Sequence, residues 1–344
     1  MLKRTAYGAI AILAILTLFS VDAAIARWAG GSTDESASPP AGAVLSDSVA
    51  NLLRHGSVVP LGLAVLIVMA SAEFMRLLEA KGANPNRLFA QVMLLAIFLS
   101  PWLSAGGWLG DDVAAVEGLY WPLVLIAMTP IGAGALHLFR GQTDGSLRDI
   151  GATCLAVLYI GFLSSFALQL RSGADSPAEQ GVWLLLITLL VTKASDIGAY
   201  FAGSLWGRRR LAPRISPKKS VEGAIGGIVG SSIVAVGLAL AAPAARGLWP
   251  QTSFALVVHE IAGIFGAPAP GGLPVLARAF LFGAALSISG QIGDLFESCF
   301  KRDAGIKDSG SVLPQFGGIL DLIDSPVFAV PVAWFMLTRV WHVI

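Results

Sequence analysis

Between residues 293 and 325 the chain sets six carboxylates and three basic residues between two apolar runs. If helix continues past Gly293, then Asp294, Glu297 and Lys301 share one face. Asp321 and Asp324 likewise share the first turn of the helix that follows. Carboxylate pairs on two helices flanking one loop suit hard divalent cations, which take oxygen ligands. A generic charged loop would account for the charges, but not for carboxylates at the lipid-proximal ends of both helices.

A second chemical segment lies upstream. Lys193 and Asp196 stand three apart inside an apolar run, where ionisable groups are costly and face a partner or a cavity. They fit an internal ion pair or a ligand contact. A basic loop from Trp206 to Ser220 then offers Arg208, Arg209, Arg210, Arg214, Lys218 and Lys219. These charges fit attraction to lipid headgroups. They also fit a polyphosphate clamp, because Ser216-Pro217-Lys218-Lys219-Ser220 runs into a helix expected from Val221, and helix N-terminal amides with lysines suit phosphate. Gly223, Gly226, Gly227 and Gly230 allow a neighbouring backbone to come close.

The elements that must position these residues are membrane spans. Of 344 residues 55% are hydrophobic and 13% charged, with mean hydropathy +0.74; soluble domains carry about 25% charged residues. Net charge is +1, so no nucleic-acid partner is expected. Cys154 and Cys299 have no metal-ligand spacing and read as ordinary small residues. Spans of about 20 apolar residues fall at Thr5–Ala26, Ser57–Leu78, Leu88–Ser104, Leu119–Phe139, Asp149–Leu170, Gly181–Ser204, Gly223–Ala242, Leu273–Gly293 and Pro326–His342. The fold expected is therefore all-α, a polytopic integral membrane protein with about nine transmembrane helices. Ser253–Ala267, which carries His259 and Glu260, reads as interfacial or re-entrant. The first run is expected as an uncleaved helix, although Ala24-Ile25-Ala26 resembles a signal-cleavage site.

With the N-terminus inside, 16 of the 23 Lys and Arg residues lie inside and six outside, Arg171 among the latter, with Lys193 within a span. That bias puts both chemical segments on the inner face. Residues 1–180 are expected as transmembrane scaffold, in which Glu73, Arg76 and Glu79 read as a solvated or snorkelling face. Residues 181–344 are expected as the catalytic transmembrane region, with loops 205–222 and 294–325.

At these residues the chain resembles the phosphatidate cytidylyltransferase (CDP-diacylglycerol synthase) family. Ser298, Lys301, Arg302, Lys307, Asp308, Gly310, Pro314, Gly317, Gly318, Asp321 and Asp324 fall in register with that family's long signature. Upstream, Gly293-Asp294-Leu295-x-Glu297-Ser298 matches. So does Asp196-x-Gly198-Ala199-Tyr200 through Leu211-Ala212-Pro213-Arg214 to Ser216-Pro217-Lys218-Lys219-Ser220-x-Glu222-Gly223. The likeness covers roughly residues 190–330. Phe316 stands where the family has His, and Leu322 where it has Arg.

The resemblance implies attack of a phosphatidate oxygen on the α-phosphorus of CTP, releasing pyrophosphate and CDP-diacylglycerol, at a cytoplasmic-side site in the inner (cell) membrane. It implies Mg²⁺ at Asp294 and Asp321, with Asp308 and Asp324 as ligands or close by. Lys218, Lys219, Lys301, Arg302 and Lys307 are its phosphate candidates. Asp196, Arg214, Ser220, Gly317 and Gly318 are its substrate contacts. A second metal ion and a homodimer are compatible with it. Four other readings fit less of the sequence. A CDP-alcohol phosphatidyltransferase would open with Asp-Gly-x-x-Ala-Arg, which is absent. A transporter would use Lys193 and Asp196 but leave residues 293–325 without a role. A CTP-dependent polyprenol kinase and an inactive family member are the remaining two.

Overall fold

The computed structural model describes residues 16–25, 53, 56–109, 118–141, 143–172, 178–248, 274–306, 309–310 and 317–341. Lys307, Asp308, Phe316, the Ser253–Ala267 run and most of the 27–56 loop lie outside the described residues. Eight helices among the described residues are long and apolar enough to cross a membrane, and the chain is an all-α polytopic membrane protein with one small hairpin. In chain order the elements are α1 (Leu16–Ile25), α2 (Val58–Ala80), α3 (Arg87–Ala105), α4 (Tyr120–Phe139) and α5 (Ser146–Ala156). A π-helical stretch, Val157–Phe162, leads into α6 (Leu163–Arg171). Then come α7 (Ala178–Trp206), β1 (Arg210–Ala212), β2 (Ser216–Ser220), α8 (Val221–Leu248), α9 (Val275–Asp303) and α10 (Leu320–Phe335), closed by a π turn at Met336–Val340.

The described chain forms two compact units: residues 1–69 with 86–183, and residues 70–85 with 184–344. In the first, Arg171 is a correction to the sequence reading, which placed it among exposed outside charges. Its guanidinium is buried against Asp22, with Nη2 to Oδ2 at 2.8 Å. The other oxygen of Asp22 accepts from the amides of Val58 (2.8 Å) and Val59 (3.2 Å). One carboxylate thus neutralises a buried cation and satisfies the open amides that begin α2.

The second unit holds the chemical segments. Helices α7, α8 and α9 pack through small residues, as lipid-embedded helices do where no hydrophobic gain drives them together. A Cβ on Gly226 would collide with Ala202, and one on Gly198 with the Gly226 carbonyl. Serines fasten the same interfaces: Ser195 Oγ meets Ser287 Oγ at 2.7 Å, and Ser232 Oγ donates to the Phe280 carbonyl at 3.1 Å.

Two helices extend beyond their apolar runs in the direction the chemistry needs. Helix α9 runs ten residues beyond Gly293, to Asp303. Helix α10 starts at Leu320, so Asp321 and Asp324 fall at its beginning as their spacing predicts, ahead of the apolar run that opens at Pro326. The basic loop also departs from expectation. β1 and β2 pair antiparallel, with Arg210 opposite Ser220 and Ala212 opposite Ser216, and a register irregularity between them. Glu222, in the first turn of α8, accepts from the Arg208 amide at 3.0 Å and the Arg209 amide at 3.2 Å, which ties the hairpin's entry to its exit.

Candidate active site

Helices α9 and α10 meet at Gly293. A Cβ there would collide with the Asp324 carbonyl and the Phe328 ring, so only hydrogen lets the two backbones approach this closely. The contact sets the carboxylates of Asp294 and Asp324 on either side of one seam. Glu297, one turn further along α9, joins them. Ligand oxygens of Asp294, Glu297 and Asp324 lie within 4.8 Å of one another, with Glu297 and Asp324 buried and Asp294 half-buried. Three carboxylates so close repel one another strongly at low dielectric. A hard cation relieves that repulsion, and an all-oxygen donor set fits a divalent one. This donor set fits the metal that the sequence resemblance implies.

Lys301 extends the cluster. Its ammonium lies 2.7 Å from Glu297 Oε2 and also bonds Asp321 Oδ1, and the residue is 9% exposed. The other oxygen of Asp321 accepts from the Gly318 amide (2.8 Å) and lies 2.9 Å from Ser309 Oγ. Both oxygens of Asp321 are therefore engaged by protein donors, and Asp321 stands beside the triad rather than within it. Gly317 precedes this contact with φ of 91°, a left-handed backbone that favours glycine.

The hairpin reaches the cluster through Lys219, half-buried, whose ammonium is ion-paired with Asp294. Ser220 Oγ accepts from the Gly223 amide at 3.1 Å, capping α8. Arg302 donates to the Ile215 carbonyl at the hairpin turn (3.2 Å). Arg214 and Lys218 are exposed. Lys193 and Asp196 form an ion pair of 3.1 Å.

The structure thus brings together Asp294, Asp324, Asp321, Lys301, Lys219 and Gly318 from among the residues singled out by sequence. Arg302 and Ser220 make structural contacts at the edge of the group, while Lys307 and Asp308 lie outside the described residues. Glu297 belongs at its centre, although the sequence offered it as a shared face and a motif position and not as a ligand. Glu73 was missed. It is 1% exposed, not solvated, and accepts from the Leu320 amide at 2.9 Å. Its one sequence signal was a lone acid at that depth of an apolar helix, and its i+3 neighbour Arg76 disguised it.

The model of the cytidylyltransferase family matches residues 44–340. A phosphatidate cytidylyltransferase from Synechocystis is 31% identical over 300 residues, covering 80% of this chain and 86% of that protein. One from Staphylococcus saprophyticus is 28% identical over 289 residues, covering 84% of this chain and 93% of its own length. One from Bacillus subtilis is 37% identical over a shorter stretch of 189 residues, 55% of this chain and 58% of that protein.

Proposed function

This chain belongs to the cytidylyltransferase family, and from that membership we infer that it is a CTP:phosphatidate cytidylyltransferase, a nucleotidyltransferase of phospholipid biosynthesis. It joins phosphatidate to the cytidylyl group of CTP, giving CDP-diacylglycerol and pyrophosphate. The observation that carries this reading at the level of the site is the carboxylate triad of Asp294, Glu297 and Asp324 with Lys219 paired to it.

Both substrates are anions, so the main barrier is their repulsion. The attacking group is a phosphate monoester whose second pKa is about 6; it is largely ionised at neutral pH and needs no general base. Phe316, where relatives of this type carry His, is therefore compatible with turnover. Asp294, Glu297 and Asp324 would hold the divalent cation, Mg²⁺ by the hardness of its donors, and Asp321 stands by through Lys301. When bound, that ion supplies charge neutralisation and alignment for an in-line displacement. Lys219 leaves Asp294 for a phosphate oxygen as substrate enters, and Lys218, Arg214, Arg302 and Lys307 add positive charge around the triphosphate. Asp308 would serve as a further ligand or support one. Asp196 orients Lys193 or meets the nucleotide. Gly317 and Gly318 shape the loop that borders the substrate: the space a Cβ would fill is taken by Asp321 at Gly317 and by Ser309 and Glu73 at Gly318.

Residues 181–344 form the catalytic region, and residues 1–180 are chiefly scaffold. The site opens to the cytoplasmic side of the inner membrane, where CTP is found and where the basic residues cluster. The test is pyrophosphate release by the purified protein in detergent. Release should need CTP, phosphatidate and a divalent cation together. Release unaffected by omitting phosphatidate, or by replacing it with diacylglycerol, would overturn the assignment.

A further inference from the structure

A buried carboxylate outside the triad has no part in the mechanism above. Glu73 projects from α2 near its inner end, 1% exposed. Its Oε2 accepts from the Leu320 amide at 2.9 Å and lies 3.2 Å from Ser309 Oγ. Two signature glycines rest directly on it: a Cβ on Gly310 would collide with Oε1, and one on Gly318 with Oε2. Burying an ionisable group this deep in an apolar helix is expensive, and such groups are kept for a partner or a function.

The contacts lead from Glu73 toward the reacting centre. Ser309 Oγ also lies 2.9 Å from Asp321 Oδ2, so one hydroxyl stands between the two carboxylates. Asp321 accepts from the Gly318 amide and binds Lys301, which binds Glu297 of the triad. Removing Glu73 would free the start of α10, the helix that carries Asp321 and Asp324. It would also release the two backbone segments that flank the signature loop. Displacing reacting groups by about 1 Å costs on the order of 100-fold in rate.

We propose that Glu73 is a positioning residue: it pins Ser309, Gly310, Gly318 and Leu320 so that Asp321 and Asp324 are held in the geometry for cytidylyl transfer. This rests on the function assigned above. The rival is a helix cap that contributes stability alone.

The test compares Glu73→Gln and Glu73→Leu in purified full-length protein. Gln keeps an oxygen for Leu320 and Ser309, and Leu keeps only the volume. Glu73→Leu should lower kcat on the order of 100-fold and raise the Mg²⁺ concentration for half-maximal rate about tenfold, whereas Glu73→Gln should stay within about fivefold of the parent protein. Hydrogen exchange should speed up in residues 309–325 of Glu73→Leu and stay unchanged in α8. Unaltered kcat and Mg²⁺ dependence in Glu73→Leu, with only a lower Tm, would overturn the proposal in favour of the cap. If Glu73→Leu does not fold, Ser309→Ala decides. It breaks the link to Asp321 while leaving the Leu320 cap. A loss of about tenfold in kcat supports the proposal, and an unchanged rate overturns it. A parent protein with no CDP-diacylglycerol synthesis would defeat the assigned function instead, and the exchange measurement would still decide whether Glu73 holds the loop.

Discussion

Lys301→Met separates the electrostatic role of this lysine from its packing. Its ammonium sits 2.7 Å from Glu297 Oε2 and bonds Asp321. Glu297 is 0% exposed and Lys301 9%. Methionine keeps most of the stem and its contacts, so the loss is chiefly the charge. Removing one partner of a buried ion pair costs about 3–5 kcal/mol, because the other charge stays buried and unpaired. Domains of 150–250 residues shift about 2–4 °C per kcal/mol, so Tm should fall on the order of 10 °C. The assay is thermal unfolding in detergent with a chelator present, at one fixed scan rate, since membrane proteins rarely unfold reversibly. Adding Glu297→Gln removes the stranded carboxylate, and the double variant should recover about 1–3 kcal/mol relative to additivity. Mg²⁺ should shrink the defect of the single variant by supplying the missing positive charge. A Tm within about 2 °C of the parent protein for Lys301→Met, or strict additivity in the double variant, would refute the reasoning.

Asp294→Asn and Asp324→Asn should each lower turnover by at least about 100-fold, the order seen when one electrostatic stabiliser is lost, while far-UV circular dichroism and the oligomeric profile stay unchanged; activity near the parent level at saturating Mg²⁺ would remove that residue from the metal site. Gly293→Val should force α9 from α10, costing about 1–3 kcal/mol in overpacking and on the order of 100-fold in kcat; steady-state kinetics and Tm measure the two, and a parent-like kcat would show that the close contact does not set the carboxylate geometry. Arg209→Cys should react with an impermeant thiol reagent in inside-out vesicles and not in intact cells; labelling from outside would reverse the topology.

Much of the site could be read from the sequence because its cost shows there. A carboxylate in an apolar run is conspicuous, and the spacing of Asp294 with Glu297, and of Asp321 with Asp324, needs only helical periodicity to bring each pair to one face. What periodicity cannot supply is which helix answers which. Glu73 is 236 residues from Ser309 and 247 from Leu320 in the chain, and Arg171 is 149 from Asp22. Such pairings follow from packing, and nothing local to either residue announces them. The anchor of α10 is of the same kind, since its first amide, that of Leu320, is satisfied by Glu73 rather than by a capping residue in the local sequence. The hairpin was hidden differently. Pro217 lies within β2, and proline argues against a strand; the fold tolerates it in a two-stranded ribbon, where β1 and β2 are each other's only strand neighbours among the described residues.

Transfer of label from CTP into lipid tests the central claim most directly, because it follows the atom on which the reaction turns. Purified protein with phosphatidate and Mg²⁺ would be given CTP labelled either at the α-phosphorus or at the γ-phosphorus, and the organic-extractable product counted. Cytidylyl transfer at the Asp294, Glu297 and Asp324 site predicts that α-label enters lipid in step with pyrophosphate release, that γ-label stays in water, and that Asp324→Asn abolishes both signals. Gamma-label in the lipid would mark the chain as a CTP-dependent kinase, and no label from either position would contradict the account altogether.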